Sequence, residues 1–136
     1  RVWLIRDLTS DEISQAFEAA QSDAINSARA SYSAAMSVIS AGYPAEEREG
    51  WAEQTEAARE VIEGGQNALI DALSAPRKIA PLDMANTIMA KRARYQTVYG
   101  AMTANLHRLD ALIAAAATVE DLGAVDTSAG WEIPAA

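Results

Sequence analysis

The sequence predicts an all-α protein: an elongated bundle of two long helices and one or two shorter ones, preceded by an extended N-terminal arm. Half of the 136 residues are apolar, but many of these are alanine, so we expect a thin core rather than a globular one. Apolar residues recur every three or four positions over two long segments, which is the periodicity of an α-helix. Breaks at Gly42, Pro44 and Gly64-Gly65 separate the predicted helices.

We expect three regions along the chain. Residues 1–8 form an extended arm around the apolar run Val2 to Ile5, and because the chain begins at Arg1 we expect this arm to continue from an upstream region. Residues 9–117 form the helical domain. Residues 118–136 form a short turn at Val119 to Leu122 and a loose C-terminal tail, in which Trp131 is the one candidate anchor.

The first long helix begins at Thr9, whose side chain can cap the free backbone N–H groups while Glu12 lies three residues further on. Gly42 ends the helix, and Tyr43-Pro44 then requires an extended link. Small residues dominate the apolar stripe between these ends, so a partner helix could approach closely. The stripe consists of Ile13, Phe17, Ala20, Ala24, Ala28, Tyr32, Ala35 and Ile39.

A second helix is predicted from Pro44 to Ile62, with acidic residues in its first turns, where they suit the positive end of the helix dipole. Gly64-Gly65 ends it, and a shorter helix follows from Asn67 to Leu73. The stretch "SAPRKIAP" is predicted to be a linker that leads to Pro81.

The last long helix is predicted to begin at Pro81, since proline is favoured at the first helical position. Two rows of apolar residues with heptad spacing fit either coiled-coil packing or the buried face of an antiparallel hairpin. Gly100 lies inside this helix, where a close helix crossing or a kink would explain it. The rows are Ile88, Tyr95, Met102 and Leu109, and beside them Tyr99, Leu106 and Ile113.

Charge and composition exclude several classes of function. A net charge of −8 argues against a general nucleic-acid-binding protein and a polybasic membrane anchor, and no apolar run approaches the roughly 18 residues of a membrane span. Acidic residues dominate the first half, whereas bases dominate from Arg77 to Arg108. These segments would attract each other within one chain or between subunits, although oppositely charged solvated helix faces are the simpler interpretation.

The sequence predicts no catalytic residue, no cofactor-binding residue and no metal ligand, so we expect a protein that is not an enzyme. His107 is the only histidine and lacks a positioned acid–base partner, and cysteine is absent. The acidic cluster of Glu46, Glu47, Glu49 and Glu53 lacks the spacing of a calcium-binding loop.

Trp51 is the largest side chain of the second helix, and it shares a helical face with Thr55, Ala58 and Ile62. We expect it to pack against the alanine stripe of the first helix, with an exposed interface position as the alternative. Gln54 is placed to hydrogen-bond a backbone group or a partner. The candidate packing or interface residues are Trp51, Gln54, Tyr95, Tyr99, Gly100, Met102, Leu106 and Leu109.

Three segments of the chain together resemble small tailed-bacteriophage proteins that are encoded with tail and tail-fibre genes, such as tail-fibre assembly proteins and tail-assembly chaperones. These segments are "GYPAEEREGWAEQTEAAREV", "LIDALSAPRKIAPLDMANTIMAKRARYQTVYGAM" and "LDALIAAAATVEDL". The matching features are a Trp-x-x-Gln helix at Trp51 and Gln54, a segment from Leu69 to Arg77, and a helix from Leu82 to Tyr95 followed by Gly100. The chain departs from the pattern of these phage proteins at Arg77-Lys78 and at residues 103–107.

The resemblance implies a structural or adaptor component of a phage tail tip, baseplate or fibre, bound to other tail or fibre proteins and located in the virion and, during assembly, in the host cytoplasm. A tail-fibre assembly chaperone that binds its fibre protein transiently is the alternative, and a stand-alone helical interaction domain is a third. The heptad rows add the expectation of a homo-oligomer.

Overall fold

The computed structural model describes residues 7–135, and this part of the chain is helical throughout its regular structure, without strands. Its helices are α1 (Ser10–Ser40), α2 (Ala45–Glu49), α3 (Trp51–Ile62), α4 (Ala68–Ser74), α5 (Pro81–Ala115) and α6 (Val119–Gly123). The predicted all-α class with two long helices is therefore confirmed. The predicted arm at Val2 to Ile5 lies outside the described residues. None of the described helices is both long and apolar enough to cross a membrane.

The described residues divide into two compact units. Unit 1 contains residues 7–35 and 102–132, and unit 2 contains residues 36–101 and 133–135. Both long helices contribute residues to both units, and the helical domain predicted over residues 9–117 includes parts of each unit.

Helix α1 begins as the sequence predicts. The backbone N–H of Glu12 donates to the hydroxyl of Thr9 at 3.1 Å, and this hydroxyl donates in turn to the Glu12 carboxylate at 3.1 Å. The bond to Thr9 satisfies one of the N–H groups that the first helical turn leaves without a backbone partner.

The predicted second helix is two helices joined at Gly50. The N–H of Gly50 donates to the carbonyl of Glu46, and the carbonyl of Gly50 accepts from the N–H of Gln54 at 3.0 Å. Gly50 itself has φ −80° and ψ −3°, so the backbone departs from regular helix only slightly. Helical hydrogen bonds therefore continue on both sides of Gly50.

Two residues between α3 and α4 fix the connection. Gly64 has φ +100°, a conformation that glycine adopts at little cost, and it follows the end of α3. The side-chain oxygen of Asn67 accepts from the N–H groups of Leu69 and Ile70 at 2.9 and 3.3 Å, and its amide donates to Glu60 at 3.0 Å. Asn67 thereby caps α4 and ties it to α3.

Unit 2 buries a core in which α3 supplies mainly small residues and α5 supplies larger ones. Arg94 of α5 also donates hydrogen bonds to the backbone carbonyls of Pro134 and Ala135, which holds the last described residues against this helix. The buried core residues are Ala57, Ala58, Val61, Ile70, Met84, Ala85 and Ile88, and Leu73 and Met89 pack against them.

Unit 1 uses the alanine stripe of α1 as a close-packing surface. Ala28 is fully buried in one cluster with Leu109 and Ile113 of α5 and Leu122 of α6. Because alanine leaves little space to fill, the larger side chains of α5 and α6 supply most of the buried area. Phe17, Ala20, Ala24, Ile25, Leu106, Ala116, Val125 and Trp131 pack around this cluster.

The described residues after α6, for which the sequence predicted a loose tail with Trp131 as its one candidate anchor, are packed in part, and Trp131 is among the packed residues. Asn105 is buried, and its side-chain amide donates to the carbonyl of Ala129 at 2.9 Å while its oxygen accepts from Arg108 at 3.0 Å. The indole N–H of Trp131 donates to the carbonyl of Thr127 at 2.8 Å. Local composition missed this packing because the bonding partner, Asn105, is 24 residues away in sequence.

A turn at Asp126 begins this packed segment. Its carboxylate accepts hydrogen bonds from the hydroxyl and the backbone N–H of Ser128, at 2.5 and 3.0 Å. These bonds favour the charged form and lower the pKa of Asp126. Ser27 of α1 shares a hydrogen bond of 2.7 Å with Thr127 in the same turn.

Gly130 provides a test of the packed segment. It has φ +88°, and a Cβ atom at this position would overlap the side-chain amide of Asn105. We expect Gly130→Ala to lower the free energy of unfolding by about 1–3 kcal/mol, through backbone strain and the loss of the Asn105 contacts. Gly123→Ala is the matched control, since a Cβ there meets nothing within 4 Å. Equal thermal unfolding curves for the two variants would show that the segment is not held in this way.

Candidate protein-interaction site

Four aromatic side chains of unit 2, here called the aromatic cluster, meet around Trp51. The ring centre of Trp51 lies 4.6 Å from that of Tyr95 and 5.2 Å from that of Tyr43, both in edge-on arrangements that favour aromatic pairing. Tyr99 stacks on Tyr95 with centres 6.0 Å apart. Trp51 is 8% exposed and Tyr99 is 44% exposed, so the cluster runs from a buried ring to an exposed one.

The sequence places these rings by simple rules. Tyr95 and Tyr99 lie four residues apart on α5 and therefore share a helical face. Tyr43 lies directly before Pro44, and Trp51 is the first residue of α3. The hydroxyl of Thr55 donates to the backbone carbonyl of Trp51 at 2.6 Å, which fixes this first turn.

The observed ring partners of Trp51 are Tyr43 and Tyr95. The sequence did not predict these ring contacts, and its expectation that Trp51 packs against the alanine stripe of α1 stays a prediction. The buried face of α3 also ends one residue earlier than predicted. Val61 is 8% exposed, whereas Ile62, which was expected on the buried face, is 44% exposed. The predicted role of Trp51 as a packing residue agrees with its burial.

Trp51 also lines a cleft of about 450 Å³ in unit 2, here called the cationic cleft. This volume lies within the roughly 300–1,000 Å³ of typical ligand pockets. Residues of α2 and α3 form one side, and residues of α5 with the end of the α4 region form the other. The lining consists of Glu46, Glu47, Trp51, Gln54, Thr55, Leu73, Arg77, Met84, Thr87, Ile88, Lys91 and Arg92.

The cleft separates charges of opposite sign. Arg77, Lys91 and Arg92 lie on the side of α4 and α5, and Glu46 and Glu47 lie on α2. None of these five side chains forms an ion pair or a hydrogen bond with another residue in the described range. The cleft thus has a local excess of one positive charge on a chain whose net charge is −8.

Gln54 lies in the same cleft and is half-buried. Within residues 7–135 its side chain has no hydrogen-bond partner, so the expected bond to a nearby backbone group is not formed. Its amide can both donate and accept, and it is therefore available to a bound molecule.

Three other candidate residues belong to the interior of unit 1. Met102 and Leu109 are fully buried, and Leu106 is half-buried beside the core. Their burial supports the interpretation of the heptad rows as an internal face, which the sequence left open beside a coiled coil. These three side chains are not available as an exposed interface.

Gly100 is an exposed residue of α5, and a Cβ at this position would meet nothing within 4 Å. The close helix crossing offered as its explanation is therefore wrong. The structure gives no packing reason for glycine at this position.

Sequence reasoning missed that Arg77, Lys91 and Arg92 border the same cleft as Trp51. The reversal of charge at Arg77 was a signal, but charge alone does not identify which residues converge in space. No group of three or more metal-ligating side chains is close enough to hold an ion in the described part of the chain. In comparisons with known proteins, no family model, curated protein or solved structure matches this chain.

The two ends of the aromatic cluster should respond differently to truncation. We expect Trp51→Ala to lower the free energy of unfolding by about 3–5 kcal/mol, because it leaves a cavity beside Tyr43 and Tyr95. Tyr99→Ala should cost less than about 1 kcal/mol, since much of that ring already contacts solvent. Urea denaturation followed by circular dichroism measures both, and equal losses would contradict the assigned packing.

Gly100→Ala should raise the free energy of unfolding by about 1 kcal/mol. Alanine has the higher helix propensity, and the open space around Gly100 accepts its methyl group. Thermal unfolding measures the change. A lower melting temperature would show that the glycine serves a close contact after all.

Proposed function

We propose that this chain is a non-enzymatic structural or adaptor component of a bacteriophage tail, in the tail tip, the baseplate or the tail fibre. One observation carries the proposal: positions from the segments that resemble phage tail proteins converge on the cationic cleft. Trp51 and Gln54 come from the Trp-x-x-Gln helix, Arg77 ends the matching stretch that begins at Leu69, and Lys91 lies four residues before Tyr95 in the helix from Leu82. A shared binding surface would account for a pattern spread so widely along the sequence.

The chemistry of the surface favours protein contacts. Tryptophan, tyrosine and arginine are the residues most enriched at interface positions that contribute strongly to binding. Here a buried Trp51, an exposed Tyr99 and the arginines of the cleft lie within one unit. Trp51 is already fixed by Tyr43 and Tyr95, so little ordering cost is added on binding.

Homo-oligomerisation is part of the proposal, with the virion tail as the final location and the host cytoplasm as the place of assembly. Large apolar side chains remain exposed on unit 2, among them Ile62 and Leu82, which line a depression of about 430 Å³. Light scattering of the purified chain tests this part, and a mass that stays monomeric at high concentration would overturn it.

A tail-fibre assembly chaperone remains the second candidate, supported by the same resemblance. It would use the same cleft but release its fibre protein once assembly is complete. The two candidates therefore differ in where the protein is found at the end, rather than in its surface chemistry.

Mass spectrometry of purified phage particles separates the two candidates. For an adaptor we expect the chain at a fixed copy number relative to known tail proteins. Absence from particles, together with a complex with a fibre protein in infected cells, would favour the chaperone. Absence from both would refute a phage-tail function.

A further inference from the structure

We propose that the cationic cleft binds a short acidic segment of a partner protein, with one apolar side chain of that segment seated beside Trp51. This inference rests on the proposed function to the extent that it requires a partner protein. It adds the chemistry of the segment that is recognised.

The positive charges on the α5 side of the cleft favour an anionic ligand. Lys91 and Arg92 are half-buried, and Arg77 lies with them along the cleft. No carboxylate within residues 7–135 pairs with any of the three. A cation that is partly removed from water without a counter-charge is unfavourable, and a ligand carboxylate would offset this cost.

The uncharged residues that line the cleft suit a ligand with an apolar side chain and a peptide backbone. Trp51, Met84 and Ile88 supply apolar lining to the cleft, and each is less than 9% exposed. A cleft of about 450 Å³ has room for a side chain of leucine size with a short stretch of backbone. The unpaired amide of Gln54 can bond one peptide group of that stretch.

The acidic side of the cleft disfavours the main anionic competitor, a nucleic acid. A phosphate backbone carries charge at every nucleotide and would meet Glu46 and Glu47 as well as the net charge of −8. A peptide, by contrast, can carry carboxylates where it meets Lys91 and Arg92 and uncharged residues where it meets Glu46 and Glu47. The observations therefore favour a peptide with localised negative charge.

The test uses the full chain and a short capped peptide in which a central leucine is flanked by glutamates. Nuclear magnetic resonance follows the indole N–H signal of Trp51 during the titration. We expect this signal to shift, with weaker binding when glutamines replace the glutamates or alanine replaces the leucine. Binding should also weaken as salt is raised, because the pairing is partly exposed to solvent.

Charge variants locate the binding site. Arg92→Glu should weaken binding about tenfold, since it replaces an attraction by a repulsion. Arg29→Glu is the matched control, because it makes the same change in net charge on an exposed residue of unit 1. Lys91→Gln gives a second, milder test in case Arg92→Glu does not fold, and circular dichroism checks the folding of each variant.

Three results would overturn the proposal. These are the absence of any shift at millimolar peptide, equal binding of the glutamine peptide, and equal weakening by Arg92→Glu and Arg29→Glu. The proposal would also be overturned if a single-stranded oligonucleotide shifted the Trp51 signal at a lower concentration than the acidic peptide does. A failure here leaves the particle measurement unaffected, so loss of the acidic-segment proposal and loss of the phage-tail function are separate outcomes.

Discussion

Both units depend on α5 for the large apolar side chains that their cores require. The helices that face it contribute mainly alanine, as Ala28 does in unit 1 and Ala57 and Ala58 do in unit 2. Alanine permits close approach but removes little apolar area from water. Met84 and Ile88 supply that area in unit 2, and residues of α5 such as Leu109 supply it in unit 1. The part of α5 that lies in each unit is thus a physical requirement for the core of that unit.

The candidate site of unit 2 is built around one large ring. Trp51, the first residue of α3, is held by Tyr43 and Tyr95. The cationic cleft lies beside this ring and is lined by residues of α2, α3 and α5. The packing and the proposed binding surface therefore share a residue, because Trp51 contacts Tyr43 and Tyr95 and also lines the cleft.

Much of the helical structure was predictable because its signals are local. The cap at Thr9, the start of α5 at Pro81 and the break at Gly64 each rest on a bond or dihedral set within a few residues. The packed segment at Ala129 was not predictable in this way, because its partner is a buried Asn105 on α5. The partner of Trp51 was missed for the same reason, since helical spacing gives the face of a residue but not what covers that face.

The sequence by itself determined the helical class and the two long helices. These follow from periodicity and from backbone preferences, which act over a few residues. Only the tertiary structure decided that Trp51 meets Tyr95, that the residues after α6 are packed, and that Arg77, Lys91 and Arg92 border one cleft with Gln54. Each of these depends on contacts between residues far apart in the chain, and such contacts are selected by shape and charge once the helices have formed.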